Sequence, residues 1–467
     1  MASRDLWQPV RFDRQLIQRY DRPGPRYTSY PAAPHFSAAF GATDYAALLR
    51  RSREAATPPL PLSLYLHIPF CETRCFFCGC NVAIARDRGR ARRYLPLLVR
   101  EMAMAAGLLG AADRRAVQVH WGGGTPTFLD PDDLAALMAA VRRHFPFAAD
   151  AEVSVEVDPR RCTPAHLDAL AAAGVNRISV GVQDLDPEVQ RAVNRVQPAE
   201  VTREVLAGAR ERGIRGTNVD LIYGLPHQTP ERFAATVREV VAMAPDRVSM
   251  FNFAYLPALF PHQKAIDAGA LPDAAAKLTI LEETIAALTA AGYLFIGMDH
   301  FARPDDPLAR ALRDRTLGRN FQGYTTHAEV DLVGFGSSSI GLVAGGYAQN
   351  RRTVEDYRRA IEGGGFATCR GLVLSAEDRL RRDVILRLMC HFHLDKGEIE
   401  ARHGVVFDDH FAAELAALAP LAGDGLVELT ADVIEVTPVG RLLVRNVAMA
   451  FDSYLAADRA SRYSRTV

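Results

Sequence analysis

From about residue 62 to residue 300 the chain alternates short β-rich runs with Ala- and Leu-rich stretches of helical period, and few folds accept that pattern. SLYLHIP, VQVHW, EVSVEVD, RISVGVQ, TNVDLIYG and RVSMFNFAYL read as strands. RRYLPLLVREMAMAAGLL, PDDLAALMAAVRRHF and PAHLDALAAAG, lying between them, read as helices. Repeated strand–helix units argue for parallel βαβ connectivity. Six units are too few to close an eight-stranded barrel and suit an open, partial (β/α)6 barrel. Such a barrel gathers its site at the C-terminal ends of the strands.

The first strand runs straight into CETRCFFCGC, which holds Cys71, Cys75, Cys78 and Cys80, four of the seven cysteines. Cys162, Cys369 and Cys390 are single. Thiolates spaced C-x3-C-x2-C can converge from one loop on a soft site, either zinc or an iron–sulfur cluster. A zinc knuckle brings a second Cys/His pair about 12–20 residues on, and the first histidine downstream is His120. Disulfides inside the loop would be strained, and the total is odd. The spacing therefore favours iron–sulfur over zinc, with paired or inert thiols third.

Other candidates sit at strand ends. GGGTPT (122–127) lets the backbone approach a ligand closely and offers amide donors, although a tight turn explains it nearly as well. In EVSVEVD, Glu156 alternates with Val155 and Val157 and so faces the barrel interior, where a carboxylate needs a polar partner. A ligand ammonium, ribose hydroxyls or a nearby arginine would serve. Gln183 and Asp184 end the fourth strand, Arg195 follows, and Asp220 sits mid-strand in TNVDLIYG. RNFQGYTT and the glycine- and serine-rich DLVGFGSSSIG read as loops or ligand-touching turns.

Three regions are expected: an arm over 1–60, the barrel over 61–365 and a smaller domain over 366–467. The arm reads as irregular, punctuated by RPGPRYTSYPAAPHF. It either packs along the barrel or closes over substrate. The last region opens on Ser375 as N-cap with Asp378 three residues on, and continues as helices and a small hairpin, a winged-helix-like pattern serving as a lid. Lys and Arg balance Asp and Glu at 55 each, so no overall field draws nucleic acid or an anionic membrane. Without a signal peptide or an apolar span, the expected location is the cytoplasm.

C-x3-C-x2-C with Phe77 before its last cysteine resembles the radical S-adenosylmethionine superfamily. PRYTSYP, SLYLHIPFCETRCFFCGCN, HWGGGTPT, EVDPR, GVQD, DLIYGLP, GMDHFA, RNFQGYTT and GRLLVRN together resemble the oxygen-independent coproporphyrinogen III oxidases, from about residue 15 to the C-terminus. The resemblance implies an α/β partial barrel of the radical SAM type, one 4Fe-4S cluster and two S-adenosylmethionine molecules. It implies Cys71, Cys75 and Cys78 as cluster ligands, which leaves one iron open to chelate a cofactor. Tyr65, Gly123, Glu156 and Ile340 would contact the first S-adenosylmethionine. Phe77, Gly124, Thr125, Gln183, Arg195, Asp220 and Ala254 would contact the second. Tyr65, Cys80 and Glu156 are the candidate catalytic residues, although spacing leaves the task of Cys80 undecided.

The reaction so implied is oxidative decarboxylation of two propionates of coproporphyrinogen III to vinyls, by way of a 5′-deoxyadenosyl radical, giving protoporphyrinogen IX. Its partners would be that substrate and a low-potential electron donor such as flavodoxin or ferredoxin, with no nucleic acid and no membrane. The chain shows no heptad seam and is expected to be a monomer. By charge, Arg26 is a candidate partner for a substrate carboxylate. Two rivals are a haem-binding trafficking protein of the same superfamily, whose members lack the CGCN cysteine and the PRYTSYP arm, and a zinc-containing winged-helix regulator.

Overall fold

The computed structural model describes residues 9–54, 59–455, 463, 465 and 466. The chain divides into two compact units. One comprises Phe36–Ile280 and Glu329–Val373, the other Met1–His35, Leu281–Ala328 and Leu374–Val467.

In the first unit, β1 (Leu62–Ile68), β2 (Ala116–Gly123), β3 (Phe147–Val157), β4 (Arg177–Gln183), β5 (Gly216–Tyr223) and β6 (Arg247–Asn252) lie side by side in chain order. Each is parallel to the next. Beyond β1 comes β7 (Asp331–Phe335), also parallel. Then β8 (Ile340–Val343), β9 (Gly346–Asn350) and β10 (Thr368–Val373) follow in antiparallel hairpins. Since β7 and β2 flank β1, the six-strand run does not close on itself. The open α/β architecture expected from the alternation is present.

Helices α1 (Ala42–Glu54), α2 (Gly89–Leu109), α3 (Pro131–His144), α4 (Pro164–Ala172), α5 (Ala199–Glu211) and α6 (Pro230–Met243) belong to the same unit. Proline at the first position of α3, α4 and α6 presets φ where no amide donor is needed. Thr163 and Thr229 cap α4 and α6 by accepting from the His166 and Arg232 amides. Strands β4 and β5 alternate between fully buried and half-buried residues. Ile178, Val180, Val219 and Leu221 are wholly buried, while Ser179, Gln183, Asn218 and Asp220 at alternate positions are half-buried on the opposite face.

Two buried polar networks fasten the β1–β7 side of the sheet. Arg114 donates to Ser52 Oγ at 2.7 Å, Asp331 Oδ2 at 2.7 Å and the Leu60 carbonyl at 2.8 Å, tying α1 to β7 and the approach to β1. Glu101 of α2 accepts from the Gly336 amide at 2.8 Å, Asn350 Nδ2 at 2.6 Å and the Tyr357 hydroxyl at 2.7 Å. Beside it, Tyr94 accepts from the Ser337 amide at 2.8 Å and donates to the His67 carbonyl at 3.1 Å. The turn after β7 is thereby held against the end of β1.

Several local readings change. Residues 1–60 are not uniformly irregular: Arg14–Tyr20 is a helix capped by Asp13, and α1 follows the proline-rich stretch. DLVGF is a fully buried strand, because Gly334 lets the chain pass where a Cβ would lie 2.9 Å from the Ile340 carbonyl oxygen. The turn is confined to 336–339. RNFQGYTT forms a short antiparallel hairpin, Gly318–Asn320 with Gly323–Thr325. In the second unit, Ser375 and Asp378 form a capping box for the helix Ala376–His391. The helix Ala412–Gly423 and a three-stranded antiparallel sheet of His393–Asp395, Val433–Val436 and Val427–Leu429 complete the helix-and-hairpin pattern. No described helix is long and apolar enough to cross a membrane.

Burial pushes the Glu101 carboxyl up to about 7 from its ordinary 4.5, against the three donors around it. A carboxyl raised in the folded state binds more protons there, so its contribution to stability falls as pH rises from 4.5 to 7. Urea unfolding of Glu101→Gln and wild type across that window should show the variant gaining relative stability with pH; parallel profiles would contradict the buried-carboxyl reading.

Candidate active site

Register brings the site together. Tyr65 of β1 pairs with His120 of β2, and His120 with Ser154 of β3. Two residues on, Glu156 pairs with Ser179 of β4. Gly181 of β4 then pairs with Asp220, and Asp220 with Ser249 of β6. Residues opposite one another in a sheet share a face, so these polar groups line one surface.

On that surface the Tyr65 hydroxyl meets His67 Nδ1 at 3.0 Å, and the tyrosine ring stacks on His120 at 5.9 Å between centroids. His67 Nε2 contacts the Asn81 carbonyl at 3.0 Å. His120 lies 2.6 Å from Ser154 Oγ and 3.3 Å from Glu156 Oε1, and the Gly123 amide donates to Glu156 Oε2 at 3.1 Å. The Glu156 side chain is 42% exposed along the cleft. Burial among protein atoms would raise its carboxyl, but His120, the Gly123 amide and His67 outweigh that and hold it below the ordinary value. It is ionised at neutral pH. Asp220 behaves oppositely: burial pushes it up to about 6, despite donation from Ser179 and Asn218, and the Glu156 charge adds to the rise.

GGG works differently from its expectation. The Gly123 amide is taken by Glu156, and the Gly124 and Thr125 amides donate to the Ile68 and Phe70 carbonyls. What the glycines provide is approach. Gly123 has φ +116°, and a Cβ there would lie 2.6 Å from the His67 ring; one on Gly124 would lie 2.7 Å from the Pro69 carbonyl.

The cysteine loop leaves β1 and returns through a two-residue parallel pairing of Phe70–Cys71 with Ala83–Ile84. Cys75 Sγ receives Arg195 Nη1 at 3.6 Å and Arg160 Nη2 at 3.8 Å, and Cys71 Sγ lies 3.5 Å from Thr125 Oγ1. A hydrogen bond from Cys80 lowers the Cys78 thiol to about 7, ahead of the opposing effect of burial, with Arg74 and Arg195 adding to it. Cys80 itself rises well above the ordinary thiol value. Burial lifts Cys71 to about 11. No three His, Cys, Asp or Glu groups among the described residues close on a single metal ion. The donor set fits a larger thiolate-bound group, with three cysteines on one loop and two guanidinium donors reaching the Cys75 sulfur.

Gln183 ends β4 with φ +71°, a left-handed conformation uncommon for glutamine. Arg195 donates to Gly181 O at 2.6 Å and Asp158 Oδ2 at 3.3 Å, but its buried Nε has no hydrogen-bond partner. That is an orphaned donor where a ligand is expected. Phe77 is half-buried against a cluster containing Val189, Val193, Leu225 and Phe253. Ala254 is exposed, with its carbonyl accepting from Gln263. Ile340 opens β8, directly after the turn fastened by Tyr94 and Glu101.

His67, which the sequence places two residues after Tyr65 on the same strand face, belongs to this site; His120, Asp158 and Arg160 belong to it as well and are not singled out from sequence. The same period-two alternation reaches two of those three. Asp158 follows Glu156 by two, and His120 precedes Gly122 by two. Arg160 needs the turn that Asp158 caps.

An open parallel sheet with C-x3-C-x2-C on the loop after its first strand is the arrangement of radical SAM enzymes. A family model for the radical SAM superfamily matches residues 65–240, and one for the HemN C-terminal domain matches 374–443. The chain is 49% identical over 461 residues to the oxygen-independent coproporphyrinogen III oxidase of Escherichia coli, spanning 98% of this chain and 99% of that protein. The protein of the same name from Helicobacter pylori is 41% identical over 456 residues, 97% of this chain and 99% of that one. The solved structure of Escherichia coli coproporphyrinogen III oxidase (HemN), described as a radical SAM enzyme, superposes with a TM-score of 0.91 at 49% identity, covering 96% of this chain and 100% of that one. The chain belongs to the family of oxygen-independent coproporphyrinogen III oxidases. A 4Fe-4S cluster and S-adenosylmethionine go with that superfamily.

Changing Cys71, Cys75 or Cys78 to Ser should abolish iron–sulfur absorbance after anaerobic reconstitution; an intact cluster in any of the three would contradict the ligand set. Gly123→Ala, which pushes a methyl into His67, should keep that absorbance and lose at least about tenfold in S-adenosylmethionine affinity, ~1.4 kcal/mol, by equilibrium dialysis.

Proposed function

We propose that this enzyme oxidatively decarboxylates two propionate side chains of coproporphyrinogen III to vinyls, giving protoporphyrinogen IX. The reading rests on the family and on one observation above all: an ionised Glu156, the Tyr65–His67 pair and the cysteine loop share one cleft. When bound, the cluster and S-adenosylmethionine would supply a 5′-deoxyadenosyl radical able to take a hydrogen atom from a propionate β-carbon. Loss of CO2 and one further electron to an acceptor would then leave the vinyl.

The chain's own part is binding, orientation and exclusion of water. Cys71, Cys75 and Cys78 hold the cluster, with Arg195 and Arg160 stabilising the Cys75 sulfur. Glu156, ionised and open to the cleft, accepts from hydroxyl or ammonium groups of the first S-adenosylmethionine, which Tyr65, Gly123 and Ile340 also touch. Asp220, Gln183 and the free Nε donor of Arg195 serve the second, alongside Phe77, Gly124, Thr125 and Ala254. The electron comes from a low-potential donor of the flavodoxin or ferredoxin type. The enzyme works in the cytoplasm as a monomer, apart from nucleic acid and membrane.

Anaerobic turnover with reconstituted cluster, S-adenosylmethionine, a reductant and coproporphyrinogen III tests the reading. Protoporphyrinogen IX should form with two S-adenosylmethionine consumed per product. Tight haem binding without product would move the chain to a trafficking role. Cys80→Ser should keep the cluster and lose turnover, as expected of a thiol that acts on substrate rather than on iron; full turnover in that variant counts against a catalytic Cys80.

A further inference from the structure

Five arginines stand in residues 86–93, with Asp87 as the lone acid among them, in a chain whose charges balance overall. The fold sets this run against the cysteine loop. Ile84 pairs with Cys71, and the Ala85 amide donates to the Cys71 carbonyl at 2.9 Å. Arg86 therefore follows directly on a backbone contact with a cluster ligand.

Three of the five have carboxylate partners. Arg88 and Arg92 share Asp130 at 3.0 and 2.6 Å, Arg92 also reaches Asp133 at 3.1 Å, and Arg93 lies 3.7 Å from Asp87. Arg86 and Arg90 are exposed, and among the described residues no carboxylate pairs with either. Arg90 instead donates to the Ile84 carbonyl at 3.2 Å. Two further cations reach the same segment from elsewhere in the chain. Arg74 Nη2 donates to the Val82 carbonyl at 3.5 Å, and the carbonyl of the exposed Arg352 accepts from Asn81 Nδ2 at 2.8 Å. Glu72, the one acid of the cysteine loop, is taken by Arg161 at 2.5 Å. Arg74, Arg86, Arg90 and Arg352 thus gather on residues 81–86, all within the first unit.

A solvated basic face needs no partner of its own, but this one lies beside the sulfur ligands of a cluster that must be reduced from outside. Encounters between redox proteins bury little area, so long-range charge rather than packing brings the two together. A surface of one sign steers a partner of the other and raises its rate of arrival.

We propose that Arg74, Arg86, Arg90 and Arg352 form the docking surface for an acidic one-electron carrier protein, seated beside Cys71. The need for such a carrier rests on the function proposed above. One electron leaves the reduced carrier, which is oxidised by one electron, and enters the cluster, which is reduced by one; no bond forms between the proteins.

The test uses reconstituted holoenzyme and flavodoxin in its hydroquinone form, with bleaching of the iron–sulfur absorbance as the readout. In the wild type the rate should fall as ionic strength rises from about 0.01 M to about 0.15 M. The triple variant Arg86→Gln, Arg90→Gln, Arg352→Gln, confined to exposed positions, should be reduced about tenfold more slowly at low salt and lose most of the salt dependence. Association of oxidised flavodoxin, read by calorimetry, should weaken in parallel, and lysine at the three positions should keep most of the wild-type rate. Reduction by the methyl viologen radical cation, which gains nothing from a basic surface, and binding of coproporphyrin III should not change. Wild-type reduction by flavodoxin that is absent or indifferent to salt, a triple variant reduced at the wild-type rate, equal slowing with methyl viologen, or weakened coproporphyrin III binding overturns the docking surface. Wild-type enzyme that flavodoxin reduces in this salt- and arginine-dependent way, yet that forms no protoporphyrinogen IX, overturns the function and not the surface.

Discussion

Parallel register is the constraint on which the site depends. Tyr65, His120 and Ser154 lie abreast on three strands, and Glu156, Ser179, Asp220 and Ser249 continue the row. In a sheet of period two, a slip of one residue in any strand would turn its polar group toward the helices. The helix-facing positions hold wholly buried Val, Ile and Leu. A slip would bury a carboxylate or imidazole among them and expose the apolar row. Packing on one face thus enforces the chemistry on the other.

Electrostatics then divides labour among groups of the same kind. Glu156 and Asp220 lie on one surface, yet one is held ionised by two imidazoles and an amide while the other is pushed toward neutrality. The two carboxylates stand two strands apart, and only the one beside the histidines has partners that outweigh the cost of its burial. The thiols show the same sorting. Cys78 is lowered by donation from Cys80, while Cys80 and Cys71 rise. Guanidinium groups from two different loops, Arg160 and Arg195, both reach Cys75.

Much of this was legible because strand periodicity and tight turns are local. The six strands, the helices between them and the cysteine loop all follow from spacing, as does the Ser375 cap. Where the reading failed, composition misled. Glycine and serine in DLVGFGSSSIG suggested a loop, but Gly334 serves close strand packing. Proline before α1 suggested an arm without helices, yet α1 begins after the last of those prolines and is anchored by Arg114 from a distant segment. The amides of Gly123 and Gly124 looked available to a ligand until their partners, Glu156 and the Ile68 carbonyl, were in place.

By itself the sequence determined the α/β class, the thiolate spacing and the strand face on which Glu156 and Asp220 stand, since each depends on residues within a few positions of one another. Only the tertiary structure decided which carboxylate is held below its ordinary value and which is raised, that Arg160 and Arg195 serve the same sulfur, and that Arg319 holds a donor with nothing to meet it. Those facts join residues up to hundreds of positions apart, and long-range pairing with its burial has no local signature.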